Sequence, residues 1–486
     1  MIRRLLLLLA RPLAALGLAF AASAAAQPLT IDDAIRLALQ KNQALKVSAF
    51  TPEIARANVL AEYGRFDPAL TFRRDYSVNE TSRTVLTGLV EKTDSYDVGI
   101  VGATPWGLTY NLGGSTERAR GTGNGLTDQY VTFGGLSVTQ PLLRGFGFGA
   151  NLAGLRIAKA DRGIADWQHR QNVIDTITNV VRVYTTVIQA RENLRISKLS
   201  RDLISQLVSQ YEKRNQAGAI SDADVVFARS RLASREENVL FDLRSVADAE
   251  NELRLLIGET NFFVHSTALE LEPLTPAPPL TFDAASDLKR AYELRPDFQA
   301  ARLGLTKRKA SASLAQNQLL PRVDFVGSYG YTGIDRDFNT SRDQVRDREV
   351  RGYSAGVVVS VPLTFAEGRG RSRAAKLGVK QSEADITRLE LDIAVDVAAA
   401  AGQLETTRQR VAANRQAIDL AQQSLTAEQK KIDAGTGRPL ELITAQDQLT
   451  QVQRGYARAV ADERRARADY ERIIGTTLEI RSLKVE

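Results

Sequence analysis

The sequence IADWQHRQNVIDTITNVVRVYTTVIQARENLRISKLSRDLISQLVSQYEKRNQA, residues 164–217, contains neither glycine nor proline across 54 positions. At about 1.5 Å of rise per residue, this length predicts a helical rod of roughly 80 Å, far longer than an ordinary globular helix. Its apolar residues recur at spacings of three and four, as in Val173, Ile177, Val180, Tyr184 and Val187. Such a narrow stripe packs helix against helix but cannot form a deep core, so we expect a mainly helical protein with long, water-exposed walls.

The rod turns back on itself at a short break, and the same pattern recurs later in the chain. The break AGAIS, residues 217–221, is followed by a second stretch without glycine or proline that closes with LLIGE at residues 255–259. A similar turn, KKIDAGTGRPLEL at residues 430–442, and a similar close, RIIGT at residues 472–476, appear in the second half. Gly218 and Gly435 are 217 residues apart, and so are Gly258 and Gly475. This shared offset indicates an internal duplication with two long helical hairpins.

Composition and charge restrict the class of protein. The 486 residues include no cysteine, which excludes disulfides, thiolate metal sites and a lipid anchor on an N-terminal cysteine. Residues 1–26 combine early arginines, an apolar run and a final AAA, which is the pattern of a secretory signal peptide. Cleavage after Ala26 would remove three arginines and lower the formal net charge from +7 to +4. Basic and acidic residues alternate along the helices, so we expect no nucleic-acid partner.

Two blocks change the periodicity from 3.6 toward 2, which predicts β-strands. The block 67–140 gives two strands, or four if the hairpin around Pro105 forms, with loops at residues 78–93 and before Asp128. The block 322–362 gives a strand pair joined by a charged loop at residues 335–349. After the signal peptide no segment has about 18 consecutive apolar residues, so membrane crossing would require strands in a closed barrel.

Tyrosines are predicted near the strand ends, either as an aromatic girdle at a lipid interface or as exposed residues of a soluble β-hairpin. They are Tyr96, Tyr130, Tyr329, Tyr331 and Tyr353.

Short helices and prolines mark the remaining boundaries. Thr30 is placed to cap a first helix with Asp33, and Pro52 is expected to begin a second helix that ends near Tyr63. Proline ends each strand block, at Pro141 and Pro362. The predicted organisation is a signal peptide 1–26, a first repeat 27–259 with its hairpin at 145–257, a proline-rich linker 260–279, a second repeat 280–475 with its hairpin at 369–474, and a tail 476–486.

The order of these features resembles the TolC-like outer-membrane efflux proteins: an LTxxxA helix, strands, a QPL exit, a long hairpin with a glycine turn and an IG close, all repeated. The likeness covers residues 29–475. It implies a homotrimer in the outer membrane, in contact with its lipid, with a long periplasmic extension. Each subunit would lend about four strands, or six if the hairpin at 96–112 adds two, to one shared β-barrel that continues into an α-helical barrel. Four or six strands cannot close a barrel alone, so several copies must complete it.

The resemblance also implies roles for charged residues at the turns, which would form a constriction at the periplasmic end. Glu441 matches a gating carboxylate, whereas Thr444 lacks the charge of a second one. Asp224 matches an acid that holds the closed state. The family's usual partners of that acid are replaced by Ile432 and Gly437, and we hypothesise that Arg438 substitutes for them. Ordinary helix capping explains Glu441 equally well and is the favoured explanation of Asp224, because acids are favoured in the first turn of a helix.

The exposed turn residues correspond to the positions at which this family docks the periplasmic adaptor protein of an inner-membrane pump. Small residues allow close contact between helix tips, although glycines also serve as ordinary helix C-caps. The docking residues implied by the resemblance are Gly218, Ala219, Ile220, Gly435, Thr436 and Gly437, with Ala217 and Ala434 beside them.

The expected function is that of a passive exit duct in a tripartite efflux or type I secretion system. His169 and His265 have no ligand spacing and are expected to be surface residues, and no catalytic residue, cofactor or metal site is predicted. The alternatives are a periplasmic adaptor, which would carry one hairpin between compact β-domains, and an envelope coiled coil, which would carry sustained heptads. Drugs, metal ions and secreted polypeptides all remain open as cargo, because selection usually rests with the pump.

Overall fold

A computed structural model describes residues 28–80, 90–122, 125–218, 220–259, 269–274, 283–434, 436 and 438–483. The signal peptide and most of the proline-rich linker lie outside these residues. The helices are α1 Ile31–Lys41, α2 Gln43–Tyr63, α3 Gly147–Asn151, α4 Ala153–Gln216, α5 Asp222–Leu256, α6 Ala284–Leu294, α7 Pro296–Asn317, α8 Phe338–Arg346, α9 Ala366–Asp433, α10 Pro439–Ile474 and α11 Thr477–Ile480. The strands are β1 Ala69–Glu80, β2 Val90–Ala103, β3 Thr109–Gly121, β4 Asp128–Pro141, β5 Arg322–Asp335 and β6 Arg351–Ser360.

The long helix α4 begins earlier than the glycine-free stretch predicts. It runs through Gly154 and Gly163, and both glycines lie where another element approaches closely. A Cβ on Gly154 would meet the carboxylate of Glu62, and one on Gly163 would lie 2.8 Å from the Cδ1 of Leu303. Both are ends of flexible side chains, so the glycines give α2 and α7 room beside α4, and the helix continues through them despite their poor helix propensity.

The duplication is visible in how the two hairpins meet the short helices. Gly258 follows α5 with a φ of +73°, and Gly475 follows α10 with a φ of +83°. A Cβ on Gly258 would lie 2.6 Å from the Cβ of Lys41, and one on Gly475 would lie 2.8 Å from the Cβ of Leu294. Lys41 and Leu294 are the last residues of α1 and α6. Each hairpin therefore closes against the same point of its own short-helix pair.

The N-terminal helices agree with one expectation and correct another. Thr30 caps α1 as expected, since its hydroxyl accepts a 3.1 Å hydrogen bond from the Asp33 backbone amide. Pro52, however, lies inside α2 rather than at its start. The helix begins at Gln43 because the Asn42 side chain accepts a 3.0 Å hydrogen bond from the Leu45 amide. Pro52 itself is buried, so packing offsets the backbone hydrogen bond it cannot donate.

All six strands form one antiparallel sheet in the order β1-β2-β3-β4-β5-β6. The hairpin around Pro105 forms, with the Thr104 amide donating a 2.8 Å hydrogen bond to the Leu108 carbonyl, so the described residues form six strands rather than four. Two predicted loops are partly strand: β1 and β2 extend into residues 78–93, and β3 continues to Gly121 before Asp128. Cross-strand polar pairs such as Ser77 with Thr93 continue the ladder where the apolar alternation fades.

The sheet has one apolar face. One row of directly paired residues crosses all six strands and is apolar or aromatic at every position, with each side chain more than 40 % exposed. The row consists of Leu70, Ile100, Leu112, Leu136, Tyr329 and Tyr353. Ser95, Ser115 and Ser328 are among the small and polar residues of the opposite face. An apolar band this wide, left open by the chain itself, requires an apolar surrounding.

The tyrosines agree in part with expectation, and the charged loop differs from it. Tyr130 and Tyr353 are each the third residue of their strand, near an end as predicted, whereas Tyr96 and Tyr329 lie well inside β2 and β5, and Tyr329 is paired with Tyr353 in the apolar row. The loop 335–349 contains the helix α8, which lies on the apolar face of the sheet. Its Ser341 contacts Gly333 and Thr132, so packing on the sheet stabilises a helix that the charged sequence does not predict.

Among the described residues, no helix combines the length and the apolar composition needed to cross a membrane.

Candidate functional site

The first hairpin turn is built from helix caps. Gly218 has a φ of +73°, and its amide donates a 2.8 Å hydrogen bond to the Asn215 carbonyl, which ends α4. Ser221 and Asp224 form a reciprocal capping box that starts α5, with both amide-to-side-chain distances at 3.3 Å. The Asp224 carboxylate is therefore engaged within its own turn. Ala219 lies outside the described residues.

The second turn uses different residues for the same task. The Thr436 amide donates a 3.0 Å hydrogen bond to the Lys431 carbonyl beyond the end of α9. Arg438 occupies the N-cap of α10, Pro439 the first position and Glu441 the first turn. Glu441 is exposed, and its carboxylate occupies the end of the helix that favours negative charge. Gly435 and Gly437 lie outside the described residues.

The charges of this turn influence one another. A 2.6 Å ion pair with Glu428 raises the pKa of Lys431 above its usual value, and the negative charge of Glu441 adds to that shift. Within the described part of the chain, no salt bridge joins Arg438 to Asp222 or Asp224. The structure thus brings Glu441 into the electrostatic field of Lys431, and Arg438 forms no salt bridge with any residue that the structure describes.

Beneath the turns, all four long helices meet in an apolar cluster, here called the tip cluster. Its members are at most 8 % exposed. They are Ile204, Leu207, Val208 and Tyr211 of α4, Val225 and Ala228 of α5, Ile432 of α9, and Leu442 and Ile443 of α10. Ile432, which the resemblance aligned with a partner of Asp224, is part of this packing. The hairpin tips are packed together by apolar contact in this structure.

Several polar contacts join the hairpins above the tip cluster, and two ion pairs among them connect α5 with α10. The Asp242 carboxylate, 4 % exposed, accepts 2.5 Å hydrogen bonds from the Ser197 hydroxyl and the Arg454 guanidinium. Arg235 forms an ion pair with Asp447. Both ion pairs link the first hairpin to α10, so α10 is the element of the second hairpin that is tied to the first.

Sequence reasoning missed these tying residues. The pairs Asp242 with Arg454 and Arg235 with Asp447 are each 212 residues apart, close to the 217-residue offset of the repeats. Equivalent helices of a duplicated chain run in parallel. Opposite charges separated by nearly the repeat length could therefore have predicted ion pairs between the hairpins.

The described residues contain no group of three or more His, Asp or Glu side chains that could hold a metal ion. His169 is half-buried, and its Nδ1 lies 3.2 Å from the Ser48 hydroxyl. His265 lies outside the described residues.

The structure joins an open sheet with one apolar face to two long hairpins whose tips close together. This combination defines a class of protein, the membrane channels that continue into a helical duct. The chain belongs to the outer membrane efflux protein family, whose model matches residues 34–259 and 288–476. It is an exit duct of the outer membrane, and its helices extend into the periplasm.

Individual relatives agree with this family. The chain is 22 % identical to the outer membrane protein TolC of Vibrio cholerae, over 61 % of this chain and 67 % of that protein. It is 28 % identical to protein CyaE of Bordetella pertussis, over 73 % of each. The solved structure of the outer-membrane channel OprN matches with a TM-score of 0.71 at 19 % identity, over 92 % of this chain and 90 % of that one.

Proposed function

We propose that three copies of the chain assemble into one passive duct that is closed at the hairpin tips and opened by a periplasmic adaptor protein of an inner-membrane pump. The observation that carries this proposal is the incomplete sheet. Among the described residues, β1 pairs only with β2 and β6 only with β5, which leaves two edges open beside an apolar face. Unpaired backbone groups are costly in lipid, and six strands are fewer than the smallest closed membrane barrels contain. Three copies would join edge to edge as 18 strands.

The helical part supports the same assembly. α4 and α10 pack against each other, while α5 and α9 lie on opposite flanks and each exposes large apolar side chains. On α5 these include Phe241, 72 % exposed, and on α9 Val395, 67 % exposed. Two different flanks with unburied apolar groups suit a head-to-tail contact between copies, which closes a ring.

The constriction is assigned to the second turn. Glu441 would form a ring of three carboxylates at the tips, with Asp224 and Arg438 nearby to tie neighbouring subunits. Glu441 is exposed on the first turn of α10, so its carboxylate is accessible to an ion at the opening, which supports this role. Three like charges around a narrow opening would attract cations and repel anions.

Single-channel recording in planar bilayers tests the duct and the ring together. Wild-type protein is expected to conduct and to prefer cations, and Glu441→Gln to reduce that preference. Glu367→Gln is the matched control, because Glu367 is an exposed acid in the first turn of α9, at the sheet end of the duct. Absence of any conductance would contradict the duct, whereas equal effects of the two variants would contradict only the ring.

The docking surface is assigned to the turn residues of both hairpins, of which Gly218 and Thr436 are exposed in the described part of the chain. They are Gly218, Ala219, Ile220, Gly435, Thr436 and Gly437. A photo-crosslinking residue at position 220 or 436 should capture an adaptor protein in cells, whereas one at the exposed Lys289 of α6 should not. Equal capture from all three positions would contradict docking at the tips. Because the pump would supply energy and selection, the duct itself needs no catalytic group.

A further inference from the structure

A groove of about 590 Å³ crosses the apolar face of the sheet. Its floor includes the small residues Gly114 and Thr116 of β3. Tyr96 of β2 is among the residues on one side, and Tyr130 of β4 and Phe338 of α8 are among those on the other, with the last two rings 6.0 Å apart. Small residues between aromatic walls leave a slot on the face that contacts lipid.

Basic residues surround a second cavity of about 470 Å³ that shares Asp94 and Arg118 with the groove. Lys92 and Arg120 are directly paired across β2 and β3, and neither forms a salt bridge with a described residue. Two like charges placed opposite each other destabilise a sheet unless an anion lies between them. The strands thus place an unbalanced pair of cations at the upper end of the groove.

Two other cations on this face are held in ion pairs. Arg74 forms two 2.9 Å hydrogen bonds to Asp94, and Arg118 lies 2.7 Å from Asp128. These carboxylates pair with Arg74 and Arg118. Among the side chains that the structure describes on this face of β1 to β4, Lys92 and Arg120 have no carboxylate in salt-bridge contact, and both are exposed.

The position of the cations along the strands indicates which part of the membrane lies beside them. Arg118 lies six residues beyond Leu112 of the apolar row on β3, which corresponds to about 20 Å along the strand. It lies toward the end of the sheet that is remote from the long helices. Because the helices extend into the periplasm, this end faces the outer leaflet. Cations that follow an apolar groove at the edge of a bilayer are suited to a charged lipid headgroup.

We propose that this groove binds a phosphorylated, acylated lipid of the outer leaflet. An acyl chain would lie between Tyr96 and Phe338, and a phosphate would lie between Lys92 and Arg120. A free anion would not need the apolar slot, and an uncharged lipid would leave the cation pair uncompensated. The inference depends on the lipid-facing side of the sheet and not on which pump or adaptor the duct serves.

Native mass spectrometry of the purified protein with added lipid tests the headgroup site. The probes are lipid A, its dephosphorylated form and phosphatidylglycerol. Wild-type protein is expected to retain lipid A in preference to both others, and Lys92→Gln/Arg120→Gln to lower that retention roughly tenfold. Arg73→Gln, which removes an exposed cation from the polar face of β1, should change nothing.

The slot is tested separately by Thr116→Trp, which fills its floor. This variant should weaken retention of lipid A while Lys92 and Arg120 remain. Bilayer conductance of each variant reports whether the duct is intact, so loss of lipid binding can be told from loss of folding. Equal retention of lipid A by wild type and both groove variants would overturn the site, and equal retention of phosphatidylglycerol would overturn its assignment to the outer leaflet.

Discussion

At the scale of single residues, Tyr211 shows how the closed tips differ from an ordinary core. Its ring is 2 % exposed within the tip cluster, but its hydroxyl has no hydrogen-bond partner among the described residues. Burial raises its pKa to about 12. A buried hydroxyl without a partner costs free energy, so the closed arrangement of the tips carries a penalty that separation of the helices would relieve.

We therefore predict that Tyr211→Phe stabilises the packed tips by roughly 1 kcal/mol at neutral pH. A raised pKa also means that wild type loses stability as the pH rises from about 10, where an unfolded tyrosine ionises, to about 12, where the folded one does. Melting of helical structure, followed by circular dichroism from pH 9 to pH 12, measures both effects. If the variant lost as much stability as wild type between pH 10 and pH 12, the burial of this hydroxyl would be contradicted.

The glycine that closes the second hairpin gives another residue-scale prediction. Gly475 has a φ of +83° and lies against Leu294, so Gly475→Ala should destabilise the protein by about 1–3 kcal/mol. Gly402 is an exposed helical glycine of α9 with open space around it, and Gly402→Ala should instead stabilise by about 0.5–1 kcal/mol. Denaturant titration measures the free energy of unfolding of both variants. A change of the same sign in both would contradict the different roles given to the two glycines.

At the scale of elements, the repeated hairpins could be predicted from sequence, whereas the contacts between them could not. Gly218 has the left-handed conformation of a helix C-cap, which is a local requirement, so its repetition 217 residues later, as Gly435, predicts the second turn. The contact of Asp242 with Arg454 depends on how two distant helices align, which no local pattern specifies. Helix α8 was missed for a similar reason, since Ser341 packs on strand residues that are remote in sequence.

The tie between α10 and the first hairpin leads to an element-scale prediction. Arg454→Leu leaves the buried Asp242 carboxylate with only the Ser197 hydroxyl, which should cost about 1–3 kcal/mol after allowance for the partial exposure of Arg454. We expect α10 to separate more readily and bilayer conductance to rise. The double variant with Asp242→Leu should recover part of the lost stability.

Arg410→Leu is the matched control for this tie. It breaks a 3.4 Å contact with Asp462 within the second hairpin and leaves the link to the first hairpin intact. Its conductance should equal that of wild type. An equal rise in both variants would show that general loosening, and not the link to α10, controls the duct.

At the scale of the whole molecule, sequence indicated the class but not the shape of the sheet. Alternation in residues 67–140 and 322–362 predicted strands, yet the row from Leu70 to Tyr353 becomes visible only when the register is known. The roles of Glu441, Asp224 and Arg438 remain proposals, because a constriction between copies depends on neighbours that a single chain does not contain. The open edges of β1 and β6 and the exposed apolar flanks of α5 and α9 are nevertheless what we expect of a subunit whose barrel is completed by other copies.

The mass of the detergent-extracted particle, measured by native mass spectrometry, tests this central claim most directly. We predict a particle of three chains that remains assembled until it is heated. A stable single chain that dissolves in water without detergent would contradict the account.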